Sequence, residues 1–147
     1  RDSKGKNETK EIQELIEKLQ EKYVELQLLS MQIKQLEEQL NIFDQKTMEL
    51  MTLRDSLQRL SELKTSAKSF AAIGPGIFVP GTVDASHGVL LNVGAGVVVK
   101  RTLGEAHKTI DAQMQQLDDI TLELSTNLQA LAVHAQKTES EIDALST

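Results

Sequence analysis

The sequence predicts an α+β fold in which two long helices form an antiparallel coiled coil, with two β-hairpins between them. Three observations carry this prediction. Apolar residues recur with heptad spacing in residues 7–69 and 103–147. The period changes to that of strands in residues 70–102, and glycines punctuate this middle segment in two similar turns. Only 3% of the residues are aromatic, which suits a Leu/Ile seam better than a compact core. The three segments therefore form a single domain.

The first helical segment carries an apolar seam over almost six heptads. Ten of its twelve seam positions are apolar, the exceptions being Lys22 and Thr47. The twelve positions are Ile12, Leu15, Leu19, Lys22, Leu26, Leu29, Ile33, Leu36, Leu40, Phe43, Thr47 and Leu50. Beyond Leu50 the heptad register places Arg54 in the seam, whereas the apolar residues continue as Leu53, Leu57 and Leu60, which predicts a phase shift. We expect this helix to begin near Asn7 or Thr9, since either side chain caps helices well.

The second helical segment opens with Thr102-Leu103-Gly104-Glu105, the pattern of a capping box. Its seam pairs with that of the first helix, at about 1.5–3 kcal/mol for each fully buried Leu or Ile. Ala135 and Thr138 make the seam thin far from the hairpins, so we expect that end to be looser. The seam residues are Leu103, His107, Ile110, Met114, Leu117, Thr121, Leu124, Leu128, Leu131, Ala135, Thr138, Ile142 and Leu145.

The first helix is predicted to be longer than the second, which leaves an apolar stripe at its start. If Ala67 lies opposite Leu103, then Thr147 lies opposite Tyr23, and four apolar residues project beyond the second helix. An apolar stripe without a partner marks an interaction surface, although a further C-terminal segment could instead cover it. With the facing end of the second helix, this candidate binding tip comprises Ile12, Leu15, Ile16, Leu19, Ile142 and Leu145.

The middle segment contains an internal repeat of apolar strand, Gly-x-Gly turn and apolar strand. The predicted strands are Phe70–Ile73, Ile77–Val83, Val89–Val93 and Val97–Arg101. Within each hairpin a three-residue loop joins the strands, with Gly74, Gly76, Gly94 and Gly96 at these turns, and the linker 84–88 joins the two hairpins. No third glycine follows to complete a dinucleotide-binding fingerprint. Bare apolar strands aggregate unless they are paired, so we expect another chain to cover them. The candidate oligomerisation residues are Ile77, Phe78, Val79, Val89, Leu91, Val93, Val97, Val98 and Val99.

Composition argues against several functions. The net charge of −6 disfavours nucleic-acid binding, which needs an excess of Lys and Arg. No apolar run approaches a membrane span, the polar N-terminus does not read as a signal peptide, and the absence of Cys fits the cytosol. His87, His107 and His134 are widely separated and no nucleophile–base constellation appears, so we expect no metal, no cofactor and no catalytic activity.

The residues of the hairpin segment resemble the α-class subunits of prefoldin. The resemblance covers the whole chain in architecture, and it is specific from about Ile73 to Ala106, where "VPG", "VGAG" and the Thr102/Glu105/Ala106 helix start match the family's pattern. Pro75 departs from that pattern, because a small residue would be more ordinary in the first turn. The resemblance implies a cytosolic, ATP-independent chaperone whose double hairpin forms part of an intersubunit β-barrel platform.

The resemblance also implies partners. These are β-class prefoldin subunits in an α2β4-type hexamer, unfolded client proteins held at the coiled-coil tips, and a group II chaperonin that receives the clients. Two other functions fit the residues less well. A structural coiled-coil scaffold or tether leaves the duplicated hairpin unexplained, and a tRNA-binding arm of an enzyme needs a basic face that this acidic chain lacks.

Overall fold

A computed structural model describes residues 2–63 and 67–147, in the order helix, hairpin, hairpin, helix. The elements are α1 (Asp2–Ser61), β1 (Ala67–Gly74), β2 (Ile77–Val83), β3 (Val89–Gly94), β4 (Val97–Arg101) and α2 (Leu103–Ser146). Helix α1 begins at Asp2 rather than near Asn7 or Thr9, and the Thr9 hydroxyl donates to the carbonyl oxygen of Gly5 (2.9 Å) within the helix. Strand β1 begins at Ala67 rather than Phe70. Residues 64–66, in the predicted tail of the first helical segment, lie outside the described residues.

The chain forms two compact units. The first combines the part of α1 up to Asp44 with Ile120–Thr147 of α2, and the second comprises Gln45–Asp119, which includes both hairpins. Each unit therefore contains one stretch of α1 and one stretch of α2.

In the first unit the two helix stretches pack antiparallel along the predicted seam. Lys22 contacts Glu141 and Glu25 contacts His134, so a higher residue number in α1 faces a lower residue number in α2. Leu29, Thr138 and Ile142 are buried, at 6%, 1% and 6% exposure. Thr138 is thus tightly packed, although its polarity predicted a loose seam; its hydroxyl is satisfied by donating to the His134 carbonyl (3.0 Å).

In the second unit the helical core consists of Leu50 and Leu57 of α1 with Ala106, Ile110 and Leu117 of α2, all buried. The predicted phase shift does not occur at Leu53, although Leu60 is half-buried as predicted and Ser61, the next position of the unbroken register, is exposed. Leu53 is 42% exposed, whereas Arg54 is half-buried and Leu57 is buried, which is the unbroken heptad register. The aliphatic stem of an arginine can lie along an apolar seam while its charged head stays in water.

Helix α2 begins with the predicted capping box. The Glu105 amide donates to the Thr102 hydroxyl oxygen (3.1 Å), which satisfies one of the open donors of the first turn. The Glu105 carboxylate accepts from the Thr102 hydroxyl (3.1 Å), where a bond to the Thr102 amide was predicted. Gly104 has open space around its α-carbon and does not constrain this start.

The two hairpins form separate two-stranded antiparallel sheets, β1–β2 and β3–β4. Gly74 pairs with Ile77 and Gly94 pairs with Val97, so each loop has two residues and not the predicted three. The register shifts between Ala72 and Gly74 and between Asn92 and Gly94. Pro75 and Gly76 (φ +75°) fit a type II turn, in which Pro favours the first central position. Ala95 (φ +52°) and Gly96 (φ +75°) both have the positive φ of a type I′ turn. The unusual Pro75 therefore suits the turn in which it lies.

Candidate functional site

The first hairpin presents apolar side chains on both of its faces. The register pairs Phe70 with Pro80 and Ala72 with Phe78, which places the two phenylalanines on one face, at 70% and 61% exposure. Ile77, Val79 and Val83 alternate with them and lie on the opposite face, also exposed. A strand pair that is apolar on both faces and covered on neither is stable only when other strands or another layer bury it.

One face of the second hairpin is open to solvent, and the other face is partly covered. Leu90 and Val98 share a face with Asn92 and Lys100 and are 75% and 54% exposed. On the other face Val89, Leu91 and Val99 are half-buried, while Val93 and Val97 are exposed. All nine strand residues predicted for oligomerisation thus retain accessible surface. Phe70 and Leu90, which are more exposed than any of the nine, were missed, although strand alternation alone places each beside a predicted residue.

The segment between the hairpins is a defined turn. The Ser86 hydroxyl (2.6 Å) and the Ser86 amide (2.9 Å) donate to Asp84 Oδ1, and these bonds lower the pKa of the Asp84 carboxyl. The Gly88 amide donates to the Ala85 carbonyl (3.1 Å). A β-carbon on Gly88, whose φ is +89°, would lie 2.4 Å from the Arg101 carbonyl oxygen. This glycine therefore fixes how closely the start of β3 approaches the end of β4.

The predicted tip lies beside an open groove in the first unit. Leu15 and Leu145 line this groove of about 380 Å³, together with Glu11, Glu14, Glu17, Lys18 and Glu21. Ile12 and Ile16 are 58% and 49% exposed, and Leu15 is 38% exposed. The structure therefore brings apolar side chains of both helices together at this end and surrounds them with four carboxylates and one ammonium group.

Two predictions about this tip are corrected by the helix alignment. Leu145 lies beside Leu15, and Lys22 contacts Glu141, so α2 reaches further along α1 than the pairing of Thr147 with Tyr23 allowed. Ile142 is buried in the seam, so its side chain is not presented at the surface. Leu19 and Leu145 are half-buried, which leaves Ile12, Leu15 and Ile16 as the open part of the tip.

A cross-helix cluster of charges, which the sequence analysis missed, fixes the alignment in this unit. Lys22 Nζ lies 2.5 Å from Glu141 Oε2 and 3.6 Å from Glu25 Oε2, and Glu25 Oε1 lies 2.8 Å from His134 Nε2. The bond to Glu141 raises the pKa of Lys22, and the same bond lowers the pKa of Glu141. Lys22 was the one charged residue among the twelve seam positions of α1, and a polar seam residue was the available signal for such pairing.

Neither a metal centre nor a membrane span emerges from the described part of the chain. Residues 2–63 and 67–147 contain no group of three or more His, Asp or Glu side chains placed to hold an ion. His87 and His134 each have one carboxylate neighbour, Asp84 and Glu25. None of the helices in the same residues is long and apolar enough to cross a bilayer.

Comparison with known proteins agrees with this architecture. The family profile of the prefoldin subunit matches residues 29–147. The prefoldin subunit alpha of Archaeoglobus fulgidus is 29% identical over 126 residues, covering 86% of this chain and 92% of the relative. That of Methanopyrus kandleri is 30% identical over 121 residues, covering 82% and 77%. A cryo-EM structure of filamentous PFD from Methanocaldococcus jannaschii matches the fold with a TM-score of 0.69 at 20% identity, covering 78% of this chain and 95% of that one.

The matched family indicates what kind of protein this chain is. The matched family is one of chaperone subunits that form multisubunit complexes, and it is not a family of enzymes. The two hairpins between two long helices are what the fold comparison shares. With a profile match over residues 29–147 and α-subunit relatives over most of its length, the chain belongs to the prefoldin family as a subunit of the α class.

Proposed function

We propose that this chain is the α-class subunit of an ATP-independent holdase, which assembles through its double hairpin and holds unfolded polypeptides at its coiled-coil end. The partners are β-class subunits in an α2β4-type hexamer in the cytoplasm, and a group II chaperonin receives the clients. The observation that carries the proposal is the pair of hairpins with apolar side chains open to solvent, Phe70 and Leu90 above all.

Assembly through the hairpins is supported by what each part of the chain leaves uncovered. The seam residues of α2 are all buried or half-buried within the chain, so the helices already have partners. The hairpins do not, and burying one of their Val, Leu or Phe side chains contributes about 1.5–3 kcal/mol. A scaffold or tether would need the helices alone and would gain nothing from two bare sheets.

Disrupting one turn tests the assembly. Gly94 has a φ of +109°, so Gly94→Val forces a β-branched residue into a strained backbone at about 1–3 kcal/mol. We expect sedimentation with a β-class subunit to show loss of the hexamer while circular dichroism shows unchanged helicity. Gly74→Val is the matched control, because Gly74 begins the other turn without a positive φ and with open space around it.

An intact hexamer in the Gly94→Val variant would contradict assembly through the hairpins. An open-ended assembly, the form named for the Methanocaldococcus jannaschii structure, would appear instead as a broad distribution of sizes.

Replacing the open tip residues tests client capture. The hydrophobic effect has no directional requirement, so Ile12, Leu15 and Ile16 can contact many different unfolded sequences, and several tips acting together raise a weak affinity. We expect Ile12→Ser, Leu15→Ser, Ile16→Ser and Leu19→Ser together to leave the hexamer intact and to weaken suppression of client aggregation without ATP. Changing the corresponding residues in every subunit should abolish most protection. Full protection in that assembly would favour the scaffold instead.

A further inference from the structure

A second groove in the first unit differs in chemistry from the tip. It has a volume of about 440 Å³ and runs between α1 and α2, with half-buried Leu36 and Leu131 at its floor. Its rim carries the side-chain amides of Gln32, Gln35, Gln39 and Asn127, and no charged residue lines it. We propose that this amide groove binds the main chain of an extended, unfolded polypeptide.

The amides carry the first step of the argument. Each Gln or Asn side chain has two N–H donors and one carbonyl acceptor. None of these four side chains forms a hydrogen bond with another of the residues that the structure describes. An unfolded segment offers one unpaired N–H and one unpaired C=O per residue, whatever its sequence. An amide rim thus matches the part of a client that all clients share.

The four side-chain amides also favour an extended chain over a helix as the occupant of the groove. The main chain of a helix is satisfied within the helix, so a docking helix would leave the four amides without main-chain partners. A charged segment would meet no opposite charge in the groove, in contrast to the carboxylates around the tip.

Two exposed apolar residues of α1 lie outside the lining of the groove, one before and one after the stretch Gln32 to Gln39. Leu28 and Ile42 lie seven residues before and after Gln35 on α1 and are 55% and 61% exposed. At 1.5 Å per residue they are about 21 Å apart, which an extended chain spans with about six residues. The groove itself offers the amides, and an extended chain that follows α1 past them would also reach an exposed apolar side chain on either side. The proposal rests on the proposed function, since it states how an unfolded client is held along the helices as well as at the tip.

Main-chain methylation gives a direct test. The probes are an uncharged, dye-labelled peptide of about ten Leu, Thr and Gly residues and a copy N-methylated at alternate residues, so that half of its N–H donors are removed. We expect the assembled full chain to bind the unmethylated peptide at least about fivefold more tightly, because each hydrogen bond contributes a factor of about two to ten. Replacing Gln32, Gln35 and Gln39 with Met should reduce that preference to about one.

The matched control replaces Gln13, Gln20 and Gln27 with Met. These exposed glutamines lie on the same helix at a heptad position away from the groove, so the control adds the same apolar surface and should keep the fivefold preference. Methylation also alters the free peptide, but equally for every variant.

Two outcomes overturn the amide groove: equal binding of both peptides by the unaltered chain, or a preference that survives in the Gln32, Gln35, Gln39 variant. Suppression of client aggregation, measured on the same samples, separates this failure from that of the proposed function. Full protection of the client together with equal binding of the two peptides would contradict only the proposed groove. Absence of protection in the unaltered assembly would contradict the proposed holdase function itself.

Discussion

At the scale of single residues, Gly88 shows how one position controls the second hairpin. The sequence of residues 84–88 predicts only a linker, because Gly and Asp are common in loops of many kinds. In the structure the linker is a hydrogen-bonded turn, and the glycine approaches the Arg101 backbone too closely for any side chain. Sequence composition indicates that a turn is present, but the close approach depends on how β4 returns, which is not a local property.

Gly88→Ala is therefore expected to destabilise the chain. The added β-carbon meets a backbone oxygen at 2.4 Å and φ is +89°, which costs about 1–3 kcal/mol and lowers the midpoint of thermal unfolding. Gly104→Ala is the control, because its β-carbon meets nothing within 4 Å and alanine is favoured over glycine in helices by about 1 kcal/mol. A Gly88→Ala chain as stable as the Gly104→Ala chain would show that the turn relaxes freely.

The candidate site was predicted unevenly, for a physical reason. Strand period and glycine turns are local, so the sequence predicts that the nine hairpin residues lie on strands, where each retains accessible surface; their part in assembly stays a prediction. Which residues lie at the tip depends on how the two helices, which are far apart in sequence, are aligned along their axes. Heptad spacing determines which face of a helix is buried but leaves the stagger between helices undetermined. Ile142 was consequently assigned to the tip when it lies in the seam.

At the scale of elements, the helix pair combines a regular apolar seam with specific polar contacts. The heptad register predicted from residues Ile12 to Leu50 continues through Arg54 and Leu57, because an arginine stem can substitute for an apolar side chain in the seam. The apolar residues alone suggested a shift to Leu53. Lys22 and its partners then select one stagger, since sliding the helices past each other would separate Lys22 from Glu141.

This charge cluster predicts a pH dependence for the pairing of the two helices. The pKa of Glu141 is lowered by its bond to Lys22, so its contribution is present above the ordinary glutamate pKa and is lost as the pH falls through and below about 4. The pKa of Lys22 is raised by the same bond, so its contribution is lost only as the pH rises above about 10.4. Between these limits both Lys22 and Glu141 are charged, so the contact between them is fully formed.

Glu141→Gln tests this assignment. Thermal unfolding should show a lower midpoint for the variant at pH 7, and the difference from the unaltered chain should be smaller at an acid pH below about 4. Glu139→Gln, at an exposed position, should leave the midpoint at both pH values close to that of the unaltered chain. Equal effects of the two substitutions would mean that overall charge, and not the contact with Lys22, is responsible.

At the scale of the whole molecule, the two kinds of element play different parts. Away from the tip the helices bury their own seams, whereas the two hairpins expose apolar residues that the described part of the chain leaves uncovered. Membership of a family of multisubunit chaperones is consistent with that division. Folding of the helices is thereby separable from assembly, and substitutions on the hairpins should change the second with little effect on the first.

Charge placed on the hairpins is expected to prevent assembly. Phe78→Lys and Leu90→Lys together remove two exposed apolar side chains, each contributing about 1.5–3 kcal/mol when buried, and would bury an unpaired ammonium group at a further cost. Without a β-class partner, the unaltered chain should self-associate with rising concentration in light scattering, and the variant should stay small. With the partner, the variant should fail to form the hexamer. Leu122→Lys and Val133→Lys, at exposed helix positions, provide the control, and loss of the hexamer there would place the assembly surface on the helices.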